Sequence, residues 1–136
     1  MSINMKIDFW GKIYIGIMSI YFIFSGFNAL WDIDSKLERI GLSAVDSDGE
    51  IAFILIYCSL MIGIGVSIAL LYYFSNTWVH SALVATVIIT SFIVFRLVGS
   101  YLTGTFSSTQ ITFLLTEMIE VSIGLFLLYK SNRLCK

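Results

Sequence analysis

Ile51–Phe74, IAFILIYCSLMIGIGVSIALLYYF, followed after only Ser75-Asn76-Thr77 by Trp78–Phe95, WVHSALVATVIITSFIVF, decides the fold. Each run reaches or nearly reaches the about 20 mostly apolar residues that, at about 1.5 Å rise each, cross a hydrocarbon core of about 30 Å. The connection between them is so tight that the two predict an antiparallel helical hairpin. Outward from this pair lie two further runs, Ile13–Leu30 and Ile111–Tyr129. Four such runs in 136 residues leave almost no sequence for a soluble module. The fold class is therefore all-α: an integral membrane antiparallel four-helix bundle. It forms a single transmembrane domain over 1–136, with spans at about 10–31, 51–74, 78–98 and 111–129 and an outer loop over 32–50.

Composition agrees. The chain is 58% hydrophobic and only 12% charged, with a mean hydropathy of +0.92, where a soluble domain carries about 25% charged residues. A net charge of −1 gives no electrostatic reason to invoke nucleic acid. Proline is absent, so straight, continuous helices are expected. Cys58 lies inside the second run and Cys135 beside the C-terminus; the topology separates them by much of the membrane, and Cys58 reads as a small packing residue. A single histidine, His80, and no clustered cysteines give no metal centre, and no cofactor is expected. The first run follows Lys6 and Lys12 as a signal peptide would. It is longer than the about 7–15 residues of a signal h-region, no A-x-A site follows it, and it reads as a retained helix.

The connections set the orientation. The segment from Asp32 to Glu50 is the only sizeable one and is acidic: Asp32, Asp34, Glu38, Asp46, Asp48 and Glu50 stand against Lys36 and Arg39. Within it, Leu37 and Ile40 at i, i+3, a cap at Asp34 or Ser35 and a stop at Gly41 predict a short helix lying on the bilayer. Both termini share one side, which carries Lys6, Lys12, Lys130, Arg133 and Lys136. The other side carries Lys36 and Arg39, with Arg96 near its boundary. This bias predicts cytoplasmic termini. Trp10, Tyr72, Tyr73, Trp78 and Tyr129 would mark the inner interface, and Trp31 and Tyr101 the outer one. Gly63, Gly65 and Ala69, with Gly16 and Ser19, are small residues that let helices approach closely.

Inside these runs, charge is the exception that points to a site. Glu117 and Glu120 share one face of the last helix at i, i+3, with Phe113 and Gly124. Entering near Ile111, they lie about 9 and about 14 Å deep. Arg96, Asn28 and Glu50 come from three other helices at a similar level, so Asn28, Glu50, Arg96 and Glu117 fall together in the outer third of the membrane. Two readings of Arg96 with Glu117 stand: an ion pair that fixes helix register, or part of a ligand site. Glu120 tilts toward the second, because one arginine does not readily neutralise two carboxylates; Glu120 is either protonated or faces a polar cavity. The candidate ligand-binding residues are thus Asn28, Glu50, Arg96, Glu117 and Glu120. His80, near the inner interface, reads as a solvated structural residue.

A family resemblance rests on Ser25-Gly26-Phe27-Asn28-Ala29-Leu30 at the end of helix one and the short helix closed by Gly41-Leu42. Gly63-x-Gly65, Arg96-Leu97-Val98-Gly99 with Gly104, and Glu117 add to it. On these the chain resembles the small four-helix bacterial membrane proteins grouped as domain of unknown function 4345, which are DoxX-like in architecture. The match covers nearly the full chain. That family places an Arg followed by Tyr-Gly-Gly early in helix two; here Glu50-Ile51-Ala52-Phe53 and Tyr57-Cys58-Ser59 stand instead, so a site using that Arg is not carried over. The resemblance implies the fold and a location in the bacterial inner membrane, with no established activity.

No Gly-x-Ser-x-Gly elbow, second histidine or phosphate loop appears, and the reading leans away from an enzyme. A DoxX-type membrane enzyme stands on analogy alone. The reading that takes up most of these features is a module that binds or moves a small amphipathic molecule or a membrane lipid through a polar pocket in the outer half of the bundle. Two others compete: an accessory subunit docking a larger membrane partner, and a proton-coupled exporter working as a homodimer. Small multidrug exporters resemble the chain in span count, but their membrane glutamate lies in the first helix, where this chain has none.

Overall fold

The computed structural model describes the backbone of residues 3–105 and 107–134 and the side chains of 5–105 and 107–132. Cys135, Lys136 and the Arg133 side chain, which enter the disulfide and orientation readings, lie outside the described residues. In order come α1 (Ile3–Trp31), α2 (Ile33–Ile40), α3 (Ser47–Phe53), a π-helical turn (Ile54–Cys58), α4 (Ser59–Ser75), α5 (Trp78–Thr103) and α6 (Ser108–Leu134). The described residues form no strand. Four stretches are long and apolar enough to cross a membrane: Met5–Trp31, Ser47–Ser75, Trp78–Thr103 and Ser108–Asn132.

Their apolar residues run all round each helix and do not keep to one face. Ile17 and Phe24 in α1, Leu60 and Phe74 in α4, Val87 and Phe95 in α5, and Leu115 and Leu125 in α6 are exposed. In water each square ångström of apolar surface left uncovered costs about 25 cal/mol, so the pattern suits a multi-pass membrane protein. α2 is the opposite case. It buries Leu37 and turns Asp34, Glu38 and Arg39 outward.

Two compact units divide the chain: Gly16–Leu71, and the start of α1 up to Ile15 with the chain from Tyr72 onward. In the first, the second half of α1 runs antiparallel to α4. A Cβ on Gly65 would press on the Ser19 carbonyl and Ile23, and one on Gly26 on the Cys58 carbonyl and Ile62. The Ser19 hydroxyl donates to the Gly65 carbonyl at 2.8 Å. Small residues here let the backbones meet, which is how membrane helices gain contact when water supplies no drive. Gly63 and Gly16 have open space around them and take no part.

A cap closes this unit. Asp32 accepts from the Ser35 N–H at 3.1 Å and starts α2, earlier than the Asp34 or Ser35 cap expected. Gly41, at φ 76°, ends it. The Gly41 N–H reaches the Glu38 carbonyl at 3.0 Å and the Leu42 N–H the Leu37 carbonyl at 2.9 Å, a Schellman closure. Leu37 then packs with Ala29, Phe53 and Cys58. Asp46 caps α3 through the Gly49 N–H at 2.9 Å, so the helix leading into the second span begins inside the segment expected as a loop.

The continuous, proline-free second helix expected from sequence carries an interruption. The Ser59 N–H bonds the Ile54 carbonyl, five residues back, and the Ser59 hydroxyl bonds the Leu55 carbonyl. One residue is thereby inserted into the turn without any proline.

In the other unit, α5 and α6 form an antiparallel hairpin closed by Gly104 at φ 65° and by Ser107, whose hydroxyl accepts from the Gln110 N–H at 3.3 Å. The start of α1 lies alongside. Trp78, only 4% exposed, seats its ring on Gly11; the missing side chain at Gly11 makes the room. Farther along, the Tyr14 hydroxyl meets Thr86 Oγ1 at 3.3 Å and donates to the Glu120 carbonyl at 3.3 Å, beside Gly124.

Candidate functional site

Arg96 and Glu117 meet because their helices are antiparallel and the turn between them is short. α5 continues past the expected end of its span to Thr103, and α6 begins at Ser108. The stretch Gly99 to Thr103 reads as loop from its small and hydroxylated residues. In the folded chain the Thr103 hydroxyl returns to the Gly99 carbonyl at 2.9 Å, which satisfies it without leaving the helix. Gln110, expected in the connection, therefore stands in the first turn of α6. It falls on the face of Phe113 and Glu117, three and seven residues on.

The three α6 side chains surround one guanidinium. Arg96 Nε donates to Glu117 Oε2 at 3.0 Å and Nη2 to Oε1 at 2.5 Å, a bidentate pair. Nη1 donates to Gln110 Oε1. The Arg96 Cζ lies 5.2 Å from the centroid of the Phe113 ring, within reach of a cation–π attraction. The side chains of Arg96 and Glu117 are 20% and 11% exposed. Of five guanidinium N–H groups, three are bound inside the cluster and, among the described residues, two remain.

Against this cluster opens a cleft of about 480 Å³. Phe92 and Phe95 wall it on one side and Gly99 lies along it. Ser100, Thr103, Thr105 and Ser107 supply hydroxyls, while Arg96 and Gln110 form its polar end. It is apolar along α5 and hydrogen-bonding at the turn. That is the chemistry of a site for a molecule with a tail and a polar head.

Glu120, Asn28 and Glu50 complete the expected set. Glu120, half-buried, sits one turn beyond Glu117 on α6, and the described residues give its carboxylate no hydrogen-bond donor; only its backbone carbonyl is engaged, by Tyr14. Asn28 and Glu50 belong to the Gly16–Leu71 unit. There Asn28 is exposed near the end of α1 and Glu50 is exposed in the first turn of α3. Sequence reasoning missed Gln110, although its seven-residue spacing from Glu117 is the signal that finds it once α6 is started at Ser108. It also missed the Tyr14–Thr86 contact, for which no local pattern exists.

The Gly16–Leu71 unit has its own cleft, about 560 Å³, between α2 and α3. Leu37, Ile40, Leu42, Val45, Phe53 and Tyr57 make it mostly apolar. Lys36 stands 5.1 Å over the Tyr57 ring, and Tyr57 stacks on Phe53.

No family model, curated protein or solved structure matches this chain.

Proposed function

We propose that this chain is a bacterial inner-membrane protein, an antiparallel four-helix bundle with both termini in the cytoplasm, and that it binds a small amphipathic molecule or lipid in the cleft at the α5–α6 turn. The resemblance to the domain of unknown function 4345 proteins belongs to this reading, as does the basic bias of Lys6, Lys12 and Lys130 toward one side. The observation that carries the ligand reading is the cleft itself, in which two phenylalanines and a row of hydroxyls converge on a neutralised, hydrogen-bonded arginine. The reading draws on Arg96, Gln110 and Glu117 and makes no use of Asn28 or Glu50.

A register clasp for an accessory subunit needs the ion pair and has no use for the cleft. The two separate on a single substitution. Gly99 lines the cleft and a Cβ there meets nothing within 4 Å, so Gly99→Phe is the substitution chosen to fill it. Gly63, also open and exposed on α4, gives the matched control Gly63→Phe. Native mass spectrometry of protein released gently from membranes should find a retained molecule on the wild type and on Gly63→Phe, and lose it on Gly99→Phe. Equal spectra for all three proteins would favour the accessory-subunit reading.

A further inference from the structure

Charge decides which molecules such a cleft admits. Among the described residues Arg96 is the single cationic one lining it, and Glu117 holds that cation in a bidentate pair. Gln110, the third partner, is neutral and takes a further N–H. The rim is equally balanced: α5 ends there, presenting carbonyl oxygens, and α6 begins there, presenting N–H groups, so the two partial helix charges oppose one another. What faces the cleft is therefore a set of hydrogen-bonding groups with no net charge.

We infer that the cleft selects an amphipathic molecule whose head is uncharged and hydroxyl-bearing, of the kind found on mono- and diacylglycerols, over one with an anionic head. This rests on the ligand reading above and adds the class of head group. An anionic phosphate reaching the same N–H groups adds a negative charge beside a cation that Glu117 already balances at 2.5 Å and 3.0 Å. A buried anion without a counter-charge is strongly disfavoured in low dielectric. A hydroxyl head has no such conflict: it accepts from the two remaining guanidinium N–H groups and exchanges hydrogen bonds with Ser100, Thr105 or Ser107 at the rim. The acyl chain then lies along Phe92 and Phe95.

The same geometry makes Glu117 the selectivity residue. Glu117→Gln removes the counter-charge, keeps a side chain of the same shape beside Arg96, and leaves the cleft facing an uncompensated cation. The double variant Arg96→Gln/Glu117→Gln returns the cleft to zero charge.

The test reconstitutes the protein in nanodiscs containing equal amounts of dioleoylglycerol and dioleoylphosphatidylglycerol and measures the lipid retained by native mass spectrometry. Only lipid that Gly99→Phe removes counts as cleft-bound. Wild type should retain the diacylglycerol in excess. Glu117→Gln, with its helicity verified by circular dichroism, should shift the ratio toward phosphatidylglycerol by about tenfold or more, the scale of a single uncompensated charge. The double variant should shift it back. A wild-type excess of phosphatidylglycerol, or a folded Glu117→Gln with an unchanged ratio, overturns the inference while leaving the binding reading intact. The wild-type arm, read against Gly99→Phe, decides this even if the Glu117 variants fail to fold. Retention of neither lipid overturns the binding reading and the inference together.

Discussion

Arg96 shows how one residue organises its neighbourhood. Its charge lies in an apolar run where an unpaired cation is costly, and three α6 side chains answer it. Removing only the arginine leaves the Glu117 carboxylate buried alone, so Arg96→Leu should cost about 3–5 kcal/mol. Arg96→Leu/Glu117→Leu should recover most of that loss, because no uncompensated charge remains. Unfolding in mixed micelles measures both, and a double variant as unstable as the single one would contradict the pairing argument. Tyr14→Phe belongs to the same scale. It deletes a buried hydroxyl that bonds Thr86 and the Glu120 carbonyl and should cost about 1 kcal/mol. The Arg96–Glu117 contact was legible in sequence because charges inside apolar runs are rare and helix depth can be counted. Gln110 and Tyr14 were not, since a neutral side chain in a membrane helix announces nothing until its neighbours are known.

At the scale of elements, ends and interruptions carry most of the information. α2 is short and owes its definition to two caps, Asp32 at its start and Gly41 at its end. Asp32→Ala should lower its stability by about 1 kcal/mol. Gly41→Ala, forced to hold φ near 76°, should lower it by about 1–2 kcal/mol. Hydrogen exchange of the Lys36 to Arg39 amides should quicken in both variants while α5 and α6 stay protected; unchanged exchange would mean that packing by Leu37 alone holds the helix. The helices themselves were legible from length and hydropathy. Their limits were not, because Ser and Thr hydroxyls bond back to their own helix: Thr103 to Gly99 keeps α5 going where composition suggested a loop. The π turn at Ile54–Cys58 also escaped, having no proline to mark it. Of the small residues read as packing devices, Gly65 and Ser19 do pack, Gly63 does not, and Gly26 went unread. Spacing locates a glycine; only the facing helix tells whether it is a contact.

At the scale of the whole molecule, the proposal is of a four-span protein with a ligand cleft at one end of its last hairpin. The proposed orientation rests on basic bias and would place Ser47 outside and Ser131 inside. Cysteines at those positions should therefore label from opposite sides of the membrane, and labelling of position 47 from the cytoplasm would invert the topology. The central claim, that the α5–α6 cleft holds an amphipathic molecule, is tested most directly by where a ligand is caught. A photoactivatable diacylglycerol carrying a diazirine in its acyl chain, cross-linked in membranes and mapped by peptide mass spectrometry, should concentrate its adducts between Phe92 and Gln110. An excess of unlabelled diacylglycerol should compete them away, and Gly99→Phe should abolish them. Adducts spread evenly over the exposed faces of all four long helices, untouched by competitor or by Gly99→Phe, would contradict the claim.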